Sequence, residues 1–179
     1  MAIVGLMLLA AGNASAQSAD GTRYVQGYGG LGFSSGETGA VLGGEFGMAL
    51  NERLSVYGTV GQFFAIGSDE LDDLCGSDCD TDMKALFVIG GVKYAFPTSG
   101  TIRPYAAGGL GFARTSFNLE VNGREFDESA TNGVLELGGG IDVPVGQQTK
   151  IDPGYRLMKI FEDGAGVAHR VYVGFGVSF

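Results

Sequence analysis

Basic residues are scarce in this sequence. Lys and Arg total 11 against 20 Asp and Glu, a formal net charge of −9 with a pI of about 4.4. Nucleic-acid binding uses Lys and Arg to neutralise phosphates, so this balance argues against a nucleic-acid partner. A single histidine, His169, and two cysteines, Cys75 and Cys79, leave little material for a metal-dependent or thiol enzyme. Only 4 prolines accompany 33 glycines, with no three-residue period, which excludes a collagen-like chain. At 45% hydrophobic residues the chain is not disordered either. The apolar run Ala2 to Ala11 is too short to cross a bilayer as a helix.

What the sequence has in place of these features is alternation. Successive side chains of a strand point to opposite faces. Segments 24–34, 40–50, 54–66, 84–96, 102–113, 134–143, 151–161 and 169–179 each place large apolar residues on one face. Gln62, Arg114 and Lys159 break that face, and Arg114 is expected above the apolar band or behind a bulge. Pro153 is awkward for a central strand, because proline cannot donate to a ladder. Reversals are expected at Gly36–Gly39, Asn51–Arg53, Pro97–Gly100 and Gly146–Thr149, with longer polar loops near Gly67–Asp82 and Ser116–Gly133, though Phe117, Leu119 and Val121 could extend the fifth strand beyond the bilayer. About ten residues suffice for a tilted strand to cross a bilayer. Eight such strands, short connections alternating with longer ones, predict an all-β, eight-stranded antiparallel up-and-down transmembrane β-barrel. A soluble sandwich shares the alternation, yet it would leave the apolar set with no helices to cover it. The many glycines then serve tight interior packing or barrel curvature.

Phasing each strand by its apolar face turns Glu45, Glu136, Asp142 and Asp152 inward, with Lys93, Arg103, Arg156 and Arg170. An eight-stranded barrel has room for side chains and no open channel. Charges inside it must pair, since an unpaired buried ion costs several kcal/mol. Four acids against four bases suit a lumen plugged by a balanced charge network.

The final segment, His169 to Phe179, sets Val171, Val173, Phe175, Val177 and Phe179 opposite Arg170, Tyr172, Gly174, Gly176 and Ser178. Its end resembles the C-terminal targeting strand of bacterial outer-membrane β-barrels: polar Tyr172, Gly174 two places later, then Val177 and a terminal Phe179. At the other end Ala14-Ser15-Ala16 supplies the small residues a signal peptidase needs, with no Lys or Arg before the apolar run. Residues 1–16 are therefore expected to be a signal peptide cleaved before Gln17, 17–23 a short N-terminal segment, and 24–179 the barrel. The whole mature chain resembles the OmpA-like and OmpX-like group of small outer-membrane β-barrel proteins. The resemblance implies export through the periplasm to the bacterial outer membrane and a monomer inserted by the outer-membrane barrel assembly machinery. Its surroundings would be outer-membrane lipid and lipopolysaccharide. The implied role is structural, for envelope integrity or surface contact. A narrow porin-like channel, or adhesin-type binding through acidic extracellular loops, is the alternative.

In that oxidising context Cys75 and Cys79 are expected to form a loop disulfide, because a zinc site would need two further ligands. The run Asp78 to Asp82 resembles the start of an EF-hand loop but has Met83 where glycine is needed and Ile89 where glutamate is needed, so no metal is expected. No catalytic residues and no cofactor are expected. His169 lacks the His-x-Ser arrangement of barrel deacylases, and Gly29-Gly30-Leu31-Gly32 lies in a strand pattern without a following helix.

Overall fold

A computed structural model describes residues 21–34, 37–65, 81–121, 124–161 and 166–179, with the backbone alone at 37, 65, 81–83, 117–121 and 124–128. Eight strands close into a barrel: β1 (Arg23–Ser34), β2 (Glu37–Ala49), β3 (Leu54–Ala65), β4 (Thr81–Ala95), β5 (Arg103–Val121), β6 (Arg124–Pro144), β7 (Thr149–Ile160) and β8 (Val167–Ser178). Each pairs antiparallel with its chain neighbour, and β8 closes on β1. The closure reaches the chain's end: Arg23 N donates to Phe179 O at 3.0 Å, and Phe179 N to Arg23 O at 2.9 Å. Pairing on the N-terminal side starts at Gly21, whose N–H meets Ala49 O at 3.0 Å from a left-handed φ of 88°.

Register fixes the tilt. Following partners once round runs Arg23, Met48, Val56, Val92, Gly108, Leu137, Leu157, His169 and back to β1 at Phe33. That displacement, from Arg23 to Phe33, is a stagger of ten residues over eight strands and corresponds to a tilt of about 40°. The outward row from Ile102, just before β5, to Phe112 on β5 then covers about 25 Å of height, the thickness of a barrel's apolar band. The band is exposed as it must be in lipid: Leu110 is 63% accessible, Phe112 66% and Phe175 55%.

The alternation rule placed the strands, and their ends are where sequence and structure part. Glu37, Thr38 and Gly39, expected in a reversal, belong to β2, and Thr81 and Asp82 belong to β4 rather than to a loop. Of the polar stretch expected as a loop at Ser116–Gly133, 116–121 belongs to β5, the extension that Phe117, Leu119 and Val121 allowed, and 124–133 belongs to β6: the two stay paired to Val121↔Arg124, rising past the last β6–β7 pair at Val134↔Ile160. Polar composition hid the β6 part, since a ribbon standing clear of the band needs no apolar face. No bulge accommodates Arg114; it pairs in unbroken register with Leu86 and Thr131. Pro153 sits inside β7, where the β6–β7 ladder breaks between Gly140↔Gly154 and Val143↔Ile151. Its missing N–H accounts for that gap.

Candidate functional site

The site is the barrel interior, which is built in two layers. Toward the short turns 50–53, 96–102 and 145–148 it is polar and charged. Toward the opposite rim it is apolar, with Val41, Phe87, Ile89, Val134 and Met158 buried among one another. Phe63 packs its ring against Phe87 at 5.4 Å.

Three carboxylates organise the charged layer. Glu45 on β2 faces Lys93 Nζ at 3.2 Å and Arg156 Nη2 at 3.9 Å, and accepts a hydrogen bond from the Tyr24 hydroxyl at 2.7 Å. Asp152 on β7 faces Lys93 Nζ at 3.5 Å and accepts from Gln26 Nε2 at 2.9 Å and from the Tyr105 hydroxyl at 2.6 Å. Glu136 on β6 accepts from Arg170 Nη2 at 2.7 Å and from Tyr57 at 3.2 Å, with Arg156 Nε 3.4 Å away. Arg156 thus lies between Glu45 and Glu136 and links the clusters. All six charged residues are buried. Several cation nitrogens, those of Arg156 above all, make these contacts without a hydrogen bond of good geometry, so the attraction there is mainly Coulombic.

Nearer the short turns Asp142 pairs with Lys150 at 2.7 Å, part-exposed, and Lys150 Nζ lies 4.3 Å from the centre of the Tyr24 ring. Arg103, expected in the lumen network, is not part of it. It shares the inward phase and stands opposite Asp142 in register, yet it is exposed at the first position of β5, and Lys150 takes Asp142 instead. A guanidinium at the open end keeps its water and gains little by pairing. Lys150 was legible: it has the parity of Asp152 and Arg156, but the strand starts earlier than the apolar pattern suggested. The count of charges stays at four acids and four bases with Lys150 in place of Arg103.

Five tyrosines complete the layer, and they are the part that charge counting missed. Tyr24, Tyr28, Tyr57, Tyr105 and Tyr172 all point inward and are buried. Tyr105 and Tyr172 hydroxyls meet at 2.9 Å, and Tyr28 receives Arg170 Nη1 at 3.2 Å while bonding Thr59 at 3.0 Å. The Tyr24, Tyr28 and Tyr172 rings reach over neighbouring strands where glycine leaves room. A Cβ on Gly43 would overlap Tyr28, one on Gly47 would overlap Tyr24, and one on Gly154 would overlap Tyr172. The signal available was tyrosine at inward phase with glycine at inward phase on the next strand. The cavity bounded by Phe63, Glu136, Arg156, Met158, Ala168 and Arg170 has no room for a water molecule.

The terminal-strand residues sit as follows. Tyr172 and Gly174 face the lumen and Val177 and Phe179 face outward, the Gly174 position being filled by the Gln26 side chain. His169 lies on the outer face with Nδ1 2.5 Å from the Tyr155 hydroxyl. Cys75, Cys79 and residues 1–20 lie outside the described residues.

The chain matches, over residues 1–179, the family described as the outer membrane protein beta-barrel domain. Among solved structures, Neisserial surface protein A is similar with a TM-score of 0.69 and 20% identity, covering 89% of this chain and 100% of that one. The N-terminal β-barrel domain of OprF from Pseudomonas aeruginosa has a TM-score of 0.62 and 16% identity, covering 89% and 98%. Ail, the attachment invasion locus protein of Yersinia pestis, has 0.59 and 19%, covering 89% and 99%. At these identities the likeness is one of fold. No curated relative matches the chain.

Proposed function

This chain belongs to the outer membrane protein β-barrel family and is a protein of the bacterial outer membrane, and from that premise we propose that it is a plugged, non-conducting barrel with an envelope-structural or surface-contact role. The observation that carries the reading is the filled interior: a buried ionic layer stacked under a buried apolar layer. An ion following the axis would have to displace Phe87, Val41 and Val134, or part Arg170 from Glu136. The chain would enter the membrane as a precursor losing residues 1–16, with the short turns on the periplasmic side and the longer β5–β6 ribbon outside. One solved structure similar in fold is Ail of Yersinia pestis in complex with the heparin analogue sucrose octasulfate. A polyanion of that kind suits this chain poorly, since acids crowd 69–82 and 120–128 of a molecule already at −9.

Planar-bilayer recording of the refolded protein tests the proposal. A silent bilayer is the expected result. Steady conductance of nanosiemens order would overturn it in favour of a narrow channel for small solutes.

A further inference from the structure

The outer face changes character at the rim away from the short turns. On β4 the outward row that includes Leu86 is followed by Lys84, and on β5 the row that includes Phe112 is followed by Arg114. On β7 the next outward place after Leu157 is Lys159. All three basic side chains are exposed. Arg114 makes one hydrogen bond, to Ser129 Oγ at 3.3 Å, and among the described residues neither Arg114 nor Lys159 has an ion pair. Leu86↔Arg114 register sets Lys84 diagonally beside Arg114, within reach of two long side chains.

A cation on the lipid side is costly at mid-bilayer and nearly free at the interface. Lys84 and Arg114 lie past the last large apolar residue of their rows, and Lys159 lies one outward place short of Phe161, all near the end of a band about 25 Å tall, where their stems can lie along hydrocarbon and their heads reach the headgroups. The short turns mark the periplasmic rim, so this end meets the outer leaflet. We propose that Lys84, Arg114 and Lys159 form an arc that binds the phosphates of lipopolysaccharide packed against β4, β5 and β7. The inference rests on the outer-membrane orientation given above. It deepens that reading by naming a lipid partner and the residues that hold it. Arg114 and Lys159, which break the apolar alternation, are in place for this contact. Three exposed basic side chains at that height complement an anionic headgroup layer, whereas the chain as a whole is acidic.

The test uses the full barrel refolded into phosphatidylcholine vesicles containing either rough-type lipopolysaccharide or phosphatidylglycerol, then extracted gently and weighed by native mass spectrometry. Wild type is expected to retain lipopolysaccharide and to lose phosphatidylglycerol. Each basic residue near an anionic leaflet contributes about fivefold, so R114Q/K159Q should retain lipopolysaccharide about thirtyfold more weakly. The charge-conserving R114K/K159R should retain it, and so should R23Q/R53Q at the other rim. Heat-modifiable migration on a gel establishes that each variant is folded. Equal retention by wild type and R114Q/K159Q, or equal retention of phosphatidylglycerol, would overturn the assignment. A conducting barrel that still holds the lipid refutes the plugged lumen alone; a silent barrel indifferent to R114Q/K159Q refutes the lipid site alone.

Discussion

Replacing Glu136 with glutamine separates a dry, plugged lumen from a water-lined one. Glu136 is 1% exposed and is shared by Arg170 at 2.7 Å, Tyr57 at 3.2 Å and Arg156 at 3.4 Å. Glutamine keeps the shape and one acceptor but leaves two buried guanidiniums with only Glu45, 3.9 Å from Arg156, as a remaining carboxylate contact. Breaking a buried ion pair from one side costs about 3–5 kcal/mol. The lower end applies here, because Arg156 holds its carboxylates without good hydrogen-bond geometry. An exposed pair is worth about 0–1 kcal/mol. With an m-value of about 2 kcal/mol per molar urea, a 3 kcal/mol loss moves the midpoint by about 1.5 M. The assay is urea unfolding of the barrel in lipid vesicles, followed by tyrosine fluorescence and gel migration. Removing the opposing charge as well, in Glu136→Gln with Arg170→Gln, should recover about 1–3 kcal/mol of the summed single losses. A single-variant loss below about 1 kcal/mol, with the two changes additive, would mean that water solvates the lumen and that the reasoning about burial is wrong.

The part-exposed Asp142–Lys150 pair provides the internal contrast: Asp142→Asn should cost no more than about 1 kcal/mol in the same urea assay. Two glycines separate packing from propensity. Gly30→Ala drives a Cβ into the Val171–Tyr172 backbone and should cost about 1–3 kcal/mol, whereas Gly58→Ala meets nothing and should gain about 0.5 kcal/mol, both read as shifts of the urea midpoint. The intact mass of protein isolated from outer membranes should begin at Gln17, and a polypeptide retaining residues 1–16 would count against a cleaved signal. Cys75 and Cys79 should resist maleimide until a reductant is added; labelling of both without it would rule out their disulfide.

Strand number, closure and inside-versus-outside facing were legible in the sequence, because a period of two and a one-sided solvent leave each residue only two choices. Val171, Val173 and Phe175 had to face lipid once Arg170 and Tyr172 faced in, and the structure has them so. Strand ends were not legible wherever the chain leaves the bilayer. Beyond Arg114 no solvent contrast imposes alternation, so 116–133 reads mostly as loop although backbone pairing carries 116–121 and 124–133 as strand. The site divides in the same way. Inward phase marked Glu45, Glu136 and Asp152 as lumen residues, but phase carries no height and no partner. Which base meets which acid depends on the stagger that brings β7 beside β2 across the axis, as Arg156 and Glu45 show, and on whether a position lies at mid-barrel or at the open end. Arg103 and Lys150 share the inward phase and charge; only the closed barrel decides that the first stays exposed at the open end and that Asp142 takes the second.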